Sequence, residues 1–492
     1  MISELVTDNP ILIKHVRSRL RRPQGTYLVI TVFLIAACLM WAGHLGNILD
    51  DGPIFVMYFA IQGLALHLVG TAQVASSISQ SNDSGILDFH RVAPLSPAAT
   101  AVGFILGAPI REYLVALVIV PFALFCALLG KPGLLGFCTT SAVLLSTTLL
   151  FHSVAMMAGL VAQPGKTRGA NMGVGFLLIT ATFATGQVFQ GIPIPGLLTA
   201  GPALFEAMDF GGGGGGFRGG QTPTFFGVTL PLFIQSLIYQ TPLTLFLMVA
   251  IVRRMRSAQA ALYSKTTAIA FLVTVSVLNL GGIIGHQNVD PGIVVPVLLY
   301  VNWFIALALT LAVSPSQGSY RNCLRRANKM GLHRPPLWDD DSSNRGVVLA
   351  LASVTFAMAQ IVQTFVQANA GPQFWPRVGI TLCVISYFGS AVQFFTLRYG
   401  RRSRPMLFLF LFLFWLMPLL VGSLAAATFG NPGVGPFIAG LSPLFGIAAG
   451  SISSLVWSFV LAGVFYGLMV REERRCQDEL RNAAHMAFDA EA

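Results

Sequence analysis

The chain alternates between long apolar segments and short polar connections along its whole length. Most of the apolar segments reach about 20 residues, the length that an α-helix needs to cross the hydrocarbon core of a bilayer. A membrane β-barrel would instead show alternating segments of about ten residues. The pattern therefore predicts an all-α, polytopic helical membrane protein with about 12 transmembrane helices. The predicted spans are residues 26–45, 54–76, 108–130, 134–162, 171–190, 227–252, 266–285, 292–313, 346–368, 376–397, 405–428 and 443–470.

Basic residues are distributed unevenly when the N-terminus is placed in the cytoplasm and the connections alternate between sides. Only three of the 30 Lys and Arg residues then fall in outer segments, namely Lys131, Arg218 and Arg377. Cytoplasmic connections of membrane proteins carry an excess of Lys and Arg. A wrong number of spans would move later basic clusters to the outer side. The distribution thus predicts twelve spans with both termini inside.

Composition excludes several classes of protein. Of the 492 residues, 54% are hydrophobic and only 10% are charged, whereas an ordinary soluble domain has about 25% charged residues. The chain is also too rich in aliphatic residues to be disordered. The net charge of +11 follows from the basic connections, so no nucleic-acid partner is predicted. The six cysteines include no C-x-x-C pair, and we predict neither a disulfide framework nor a metal site.

An amphipathic helix is predicted before the first span. Asn9 is a favourable N-cap residue and Pro10 suits the first helical turn. Apolar residues then recur at helical spacing, with Lys14, Arg17 and Arg21 on other faces. Such a helix would lie at the membrane interface with its basic residues toward anionic headgroups. The alternative is a basic flank that only sets topology.

The connection after the second span, residues 77–107, predicts a short helix held away from the membrane. Asp83 or Ser84 would cap it, and Pro94 would end it. Ile86, Phe89 and Ala93 would share one face, while Asp88 and Arg91 would be more exposed. Ser96 and Pro97 begin the next helix. A short helix between two prolines could dock into a groove of a cytoplasmic partner, and the alternative is an ordinary surface loop.

A second long connection, residues 314–345, follows the eighth span, as 77–107 follows the second. This placement predicts two six-span halves, 1–258 and 259–492. The basic and acidic residues of 314–345 indicate a solvated connection, with a second partner contact as the alternative. The outer connection 191–226 contains six consecutive glycines from Gly211 to Gly216 and reads as a flexible tether.

Two of these segments resemble those of a known transporter family. Asn9-Pro10-Ile11-Leu12-Ile13-Lys14 is similar to the start of many type-2 ABC transporter permeases. Asp83-Ser84-Gly85-Ile86-Leu87-Asp88, followed by Ala93-Pro94-Leu95-Ser96-Pro97, resembles the segment that forms the coupling helix of that family. The family usually has six spans, half of the number predicted here, so one chain would take the place of two subunits.

The resemblance implies a permease subunit of an ATP-driven exporter in the bacterial inner membrane. Its expected partners are a cytoplasmic ATP-binding subunit, membrane lipid and a second copy of the chain as a homo-dimer. The expected partner-binding residues are Asp83, Gly85, Ile86, Leu87, Asp88, Phe89, Arg91 and Pro94. ATP would bind to the partner, and no cofactor is expected in this chain. A secondary transporter without an ATPase and a non-transporting membrane scaffold are the alternatives.

Few other residues suggest chemistry. Gly159 to Thr167 has five residues between its glycines, whereas a Walker A loop has four, so the chain is not expected to be an enzyme. Arg111 and Glu112 begin the third span and would act either as interfacial anchors or in gating. His67 and His152 lie inside spans, where packing is favoured over proton relay. Gly446, Gly450 and Ser454 would form a small-residue packing face on the last span.

Overall fold

The structure is a computed structural model. It describes residues 8–21, 23–46, 52–161, 196–208, 224–258, 260–284, 291–332, 334–366, 372–429 and 433–491. The predicted span 171–190 and the glycine run lie outside the described residues.

Helices make up most of the described chain. In the first part they are α1 (Pro10–Arg19), α2 (Gln24–Leu45), α3 (Pro53–Gly63, the π-helical segment Leu64–Gly70 and Thr71–Asp83), α4 (Ile86–Val92), α5 (Pro97–Gly107), α6 (Ile110–Leu129), α7 (Gly133–Val161), α8 (Gly201–Met208) and α9 (Leu232–Arg256). A 3₁₀ turn, Gly196–Leu198, precedes α8. Between α8 and α9, Thr224–Phe225 (β1) pairs antiparallel with Val228–Thr229 (β2).

The second part is also helical where it is described. Its helices are α10 (Lys265–Ile283), α11 (Pro291–Val313), α12 (Gln317–Lys329), α13 (Arg345–Val366), α14 (Phe374–Tyr399), α15 (Ser403–Leu411, the π-helical segment Phe412–Leu416 and Met417–Phe429), α16 (Val434–Gly440), α17 (Pro443–Ala449) and α18 (Ile452–Glu491). A 3₁₀ turn, Gly400–Arg402, precedes α15.

Eleven helices in the described ranges are long and apolar enough to cross a membrane. They are α2, α3, α6, α7, α9, α10, α11, α13, α14, α15 and α18. Many of their large apolar side chains, such as Phe33, Phe408 and Phe459, are exposed on the surface of the protein. Such an apolar surface is expected of helices that contact lipid. The chain is an all-α, multi-pass membrane protein.

Two compact units divide the chain. Unit 1 contains Met1–Ala260 and Gly281–Gln287, and unit 2 contains Ala261–Leu280 and Asn288–Ala492. That the chain consists of two related halves, 1–258 and 259–492, stays a prediction.

One buried cluster in unit 1 joins the short helices α1, α4 and α5 to two of the spans. It contains Ile11 of α1, Leu87 of α4, Phe104 of α5, Met156 of α7 and Met255 of α9. Burial of such side chains contributes roughly 1.5–3 kcal/mol each. The short helices α1, α4 and α5 are thus held against spans α7 and α9 by apolar packing.

The last predicted span, 443–470, is wrong as a single helix. α17 ends at Ala449, and Gly450 adopts a left-handed conformation with φ of 63°. α18 then begins at Ile452 and runs on to Glu491. Helical spacing therefore does not hold across Gly450, and Gly446, Gly450 and Ser454 do not form one helix face. Apolar composition alone could not distinguish two helices from one, because both sides of the break are hydrophobic.

Candidate functional site

Asn9 fixes the start of α1 and attaches it to α5. Its Oδ1 accepts hydrogen bonds from the backbone N–H groups of Ile11 and Leu12, at 3.1 and 3.3 Å. Its Nδ2 donates to the carbonyl oxygen of Ala99, 2.6 Å away. Pro10 occupies the first turn. The predicted N-cap is confirmed, and the cap residue is fully buried, so α1 begins inside the protein.

A close approach between α1 and α5 explains this burial. A Cβ atom on Gly103 would lie 2.8 Å from Asn9 Oδ1 and 2.9 Å from Ile11 Cβ. A Cβ atom on Gly107 would lie 3.0 Å from His15 Cβ. Gly103 and Gly107 form a G-x-x-x-G pattern, which lets two helices approach closely. The spacing of Gly103 and Gly107 is the signal in the sequence from which this contact could have been predicted.

The basic residues of α1 divide into two groups. Lys14 and Arg17 are exposed, as is Arg21 just after the helix. Arg19 instead turns inward, where its guanidinium donates to Gln73 Oε1 at 2.7 Å and Ser77 Oγ at 2.9 Å. Burial lowers the pKa of Arg19. The exposed group suits contact with anionic headgroups, whereas Arg19 attaches α1 to span α3.

Arg111 and Glu112 begin α6 and have different environments. Arg111 donates from Nε to the carbonyl oxygen of Arg19, at 2.8 Å, and from Nη2 to Gln24 Oε1, at 3.1 Å. Glu112 is buried, and its Oε2 has no hydrogen-bond partner among the described residues. Arg111 therefore holds the end of α1, and its predicted role as an interfacial anchor stays a prediction. A gating role for the pair stays a prediction.

The short helix predicted after the second span exists as α4. The predicted capping residues are wrong, because Asp83 is the last residue of α3 and Gly85, with φ of 73°, precedes α4 without a side-chain cap. α4 ends at Val92, before Pro94. Ser96 accepts a hydrogen bond from the backbone N–H of Ala99 at 3.1 Å, and this confirms the predicted start of α5.

α4 has one buried apolar anchor and one exposed apolar face. Leu87 is only 1% exposed and belongs to the unit 1 cluster described above. Ile86, Phe89 and Val92 are 40%, 67% and 82% exposed. These three residues recur every three positions, so they lie on one side of the helix. We call them the α4 apolar face. The prediction had placed Ala93 on this face, but Val92 occupies it.

Arg91 is not exposed as predicted. Its side chain is only 13% exposed, and it pairs with Asp88, whose side chain is 74% exposed. Arg91 Nη2 also lies 3.5 Å from the carbonyl oxygen of Arg254 at the end of span α9. The stem of Arg91 is long enough to lie along the protein while its guanidinium reaches a helix terminus. α4 is thereby held at the polar end of α9.

Two histidines outside the spans, His15 of α1 and His90 of α4, pack against Phe104 of α5. The ring centroids of His15 and His90 lie 5.5 and 6.2 Å from that of Phe104, both in edge-to-face geometry. Burial lowers the pKa of His15 to about 4, and the positive charge of Arg19 lowers it further. Burial also lowers the pKa of His90. Both imidazoles are therefore neutral near pH 7, as apolar packing requires.

His67 and His152 make hydrogen bonds inside unit 1. His152 Nε2 lies 3.0 Å from the carbonyl oxygen of Leu66, and its Nδ1 lies 3.1 Å from the Tyr113 hydroxyl. His67 Nε2 lies 3.4 Å from the carbonyl oxygen of Leu144. These contacts agree with the packing role favoured for both residues.

In the described part of the chain, no group of three or more His, Cys, Asp or Glu residues could hold a metal ion. Gly159 lies in the last turn of α7. The remainder of the Gly159–Thr167 stretch after Val161 lies outside the described residues.

The connection 314–345 is more structured than the solvated segment that the sequence predicted. It contains α12, whose Tyr320 and Leu324 pack against Leu397 and Cys476. Burial raises the pKa of both Tyr320 and Cys323. Polar residues flank the helix on its other side, so an amphipathic helix forms where charge density alone suggested a loop.

Acidic residues of α18 join several elements of unit 2. Glu479 pairs with Arg321 of α12 at 2.9 Å, and Glu472 pairs with Arg398 at 3.4 Å. Glu473 pairs with Arg345 and accepts a hydrogen bond from Ser343 Oγ at 2.6 Å. These buried or half-buried pairs attach α18, beyond its apolar part, to α12, α13 and α14.

Comparison of the chain with protein-family models, with curated proteins and with solved structures finds no match in any of the three.

Proposed function

We propose that the chain is the membrane permease subunit of an ATP-driven exporter of the ABC type, and that α4 is the docking point for a separate cytoplasmic ATPase. The chain would have no ATPase activity of its own, and ATP would bind to the partner. α4 would lie on the cytoplasmic side of a bacterial inner membrane, in keeping with the basic residues near the ends of α1 and α9.

The observation that supports the proposal most is the division of α4 into an anchor and an open face. Leu87 is buried within a cluster that includes residues of spans α7 and α9. Ile86, Phe89 and Val92 remain exposed. Large apolar side chains that gather on one exposed side mark a binding surface more often than isolated ones do. An amphipathic helix of this kind can lay its apolar side chains into a hydrophobic groove.

The attachments of α4 would let it transmit movement. Arg91 contacts the end of α9, and Leu87 packs among α5, α7 and α9. α5 in turn holds α1 through the bond between Asn9 and Ala99. A partner that displaced α4 would therefore act on at least two spans, because close-packed elements transmit strain.

The test uses the double variant Ile86→Asp, Phe89→Asp. The partner is sought as a nucleotide-binding subunit among the products of the neighbouring reading frames. The permease and this subunit are reconstituted together in liposomes, and ATP turnover is measured. We expect the wild-type permease to stimulate turnover and the variant to leave it at the rate of the subunit alone. Two carboxylates in an apolar contact lose hydration without gaining a partner.

A matched control is Gln80→Asp, Ser84→Asp, which adds the same charge at exposed positions just before α4. This control should retain stimulation, and both variants should insert into membranes and unfold at the wild-type temperature. Equal stimulation by wild type and the α4 variant would contradict the docking role. Transport driven by an ion gradient without ATP would favour the secondary-transporter alternative.

A further inference from the structure

A surface of unit 2 combines exposed basic and exposed apolar side chains. The basic residues are Arg325, Lys329 and Arg334, and the apolar residues are Met330, Leu332, Leu337 and Trp338. Trp338 is 55% exposed and Met330 is 64% exposed. We call these seven residues the 325–338 surface. They lie outside α4 and unit 1, so nothing in this inference depends on the proposed function.

Lys265 places one end of this surface at the end of a span. Lys265 is the first residue of span α10 and is fully buried. Its Nζ donates to the carbonyl oxygens of Leu337 and Ser343, at 2.6 and 2.8 Å, and to Ser342 Oγ at 2.6 Å. The backbone of residues 337–343 therefore wraps around the terminus of α10. Leu337 and Trp338 are held where the apolar span ends, which is the level of lipid headgroups.

α12 is oriented so that its basic side stays open. Its apolar side, with Tyr320 and Leu324, packs within unit 2. Arg326 pairs with Asp341 at 2.8 Å and lies 3.7 Å from Asp339, the neighbour of Trp338. These ion pairs attach the end of α12 to the segment that Lys265 holds. Arg325 and Lys329 remain exposed beside it.

The connection 314–345 must also stay close to the bilayer. It follows span α11, which ends at Val313, and it leads into span α13, which begins at Arg345. α12 starts only a few residues after α11. A segment attached to three span termini, at Val313, Lys265 and Arg345, lies close to the membrane surface.

We propose that the 325–338 surface binds the headgroups of anionic phospholipids in the adjacent leaflet. Tryptophan is enriched at membrane interfaces, where its ring lies among the headgroups. Lys and Arg next to the bilayer attract anionic lipid. In this arrangement Trp338 and Leu337 enter the interface, while Arg325, Lys329 and Arg334 concentrate acidic headgroups around them. We assign the 325–338 surface to lipid rather than to a protein because Lys265, at the start of span α10, holds the backbone of Leu337 next to Trp338.

The test measures quenching of Trp338 by brominated phospholipids. The full chain is reconstituted in nanodiscs of phosphatidylcholine and phosphatidylglycerol, with bromine on the acyl chains of one lipid at a time. The emission of Trp338 is obtained as the difference between wild type and Trp338→Phe. We expect brominated phosphatidylglycerol to quench this emission about twofold more than brominated phosphatidylcholine at equal mole fraction, since basic residues enrich acidic lipid locally.

The triple variant Arg325→Gln, Lys329→Gln, Arg334→Gln should make the two lipids quench Trp338 equally. A matched control, Arg402→Gln, Arg404→Gln, Arg474→Gln, removes the same charge from other exposed positions of unit 2 and should leave the preference intact. Since all six positions carry exposed side chains rather than core residues, both variants should fold. Equal quenching in the wild-type protein would overturn the proposal. The proposal would also be overturned if iodide quenched Trp338 freely in nanodiscs and only an added ATPase subunit protected it. The 325–338 surface would then bind a protein.

Discussion

Arg111 donates a hydrogen bond from Nε to the backbone carbonyl oxygen of Arg19, 2.8 Å away. This bond satisfies one of the carbonyl groups that the last turn of α1 leaves without an intrahelical donor. The guanidinium of Arg19 in turn reaches Gln73 and Ser77 of α3. Arg111 and Arg19 thus connect α1, α3 and α6 at one end of unit 1. Burial lowers the pKa of Arg19, the charge of Glu112 opposes this shift, and the charge of Arg111 adds to it.

Arg111→Ala should loosen the C-terminal turn of α1. The lost bond involves a charged donor, yet Arg111 is exposed, so we expect a cost of about 1 kcal/mol. Hydrogen exchange of the amides in the last turn of α1 should quicken about fivefold, the factor that corresponds to that energy. Arg17→Ala, at an exposed position on the same helix, is the control and should leave exchange unchanged. Equal exchange in both variants would show that α1 does not depend on Arg111.

Leu87→Ala and Phe89→Ala should separate the anchor of α4 from its open face. Leu87 is buried, so its truncation leaves a cavity and should destabilise the attachment of α4 by about 2–4 kcal/mol. Phe89 is exposed, and its truncation should change stability by no more than about 0.5 kcal/mol. Hydrogen exchange of residues 84–95 measures both effects. If Phe89→Ala increased exchange as much as Leu87→Ala, the α4 apolar face would be packed against the protein.

The sequence predicted the membrane class and the approximate position of the described spans before α18, because long apolar runs admit few other structures in lipid. The last span was predicted as 443–470 but begins at Ile452. It also predicted α4 and the caps Asn9 and Ser96, which depend on neighbouring residues. It did not predict that Leu87 is the buried residue of α4. A helix of seven residues offers only two turns of pattern, and the side that is buried depends on the orientation of distant spans.

Contacts between distant residues were equally beyond the sequence. Lys265 reads as a basic residue flanking a span, yet it is buried and its ammonium binds carbonyl oxygens far along the chain. Arg91 reads as an exposed charge, yet it reaches the carbonyl oxygen of Arg254. Such partners are set by tertiary structure, whereas one sequence shows only local spacing.

Acidification should weaken the packing of α1 on α5. The pKa of His15 in the folded state is about 4, below its ordinary value of 6.5. The unfolded chain therefore binds a proton first as the pH falls. The contribution of neutral His15 to stability is complete above about pH 6.5 and declines between that pH and about 4. The exchange of α1 amides, corrected for the intrinsic effect of pH, should quicken between pH 7.5 and pH 5.

His15→Gln provides the comparison for this pH effect, because a glutamine of similar length cannot gain a charge. The variant should start from weaker packing against Phe104 but should show a smaller change between pH 7.5 and pH 5. His90 also has a lowered pKa through burial, so some pH dependence should persist. An unchanged pH response in His15→Gln would assign the effect to His90 or to another group.

Gly450→Ala should destabilise unit 2 because Gly450 joins α17 to α18 with φ of 63°. A left-handed conformation costs an L-residue with a side chain roughly 1–2 kcal/mol. The added Cβ would also lie 2.9 Å from Gln373 Cβ and 3.0 Å from Arg377 Cγ, and Arg377 donates a hydrogen bond to the carbonyl oxygen of Ala448 at 2.9 Å.

Gly463→Ala and Gly467→Ala on α18 are matched controls, since nothing lies within 4 Å of a Cβ there. Thermal unfolding of the full chain in detergent should give a lower midpoint for Gly450→Ala only, because alanine inside a helix is favoured over glycine. If Gly450→Ala unfolded at or above the wild-type temperature, the helix would run unbroken through residue 450, as the apolar pattern of the sequence predicts.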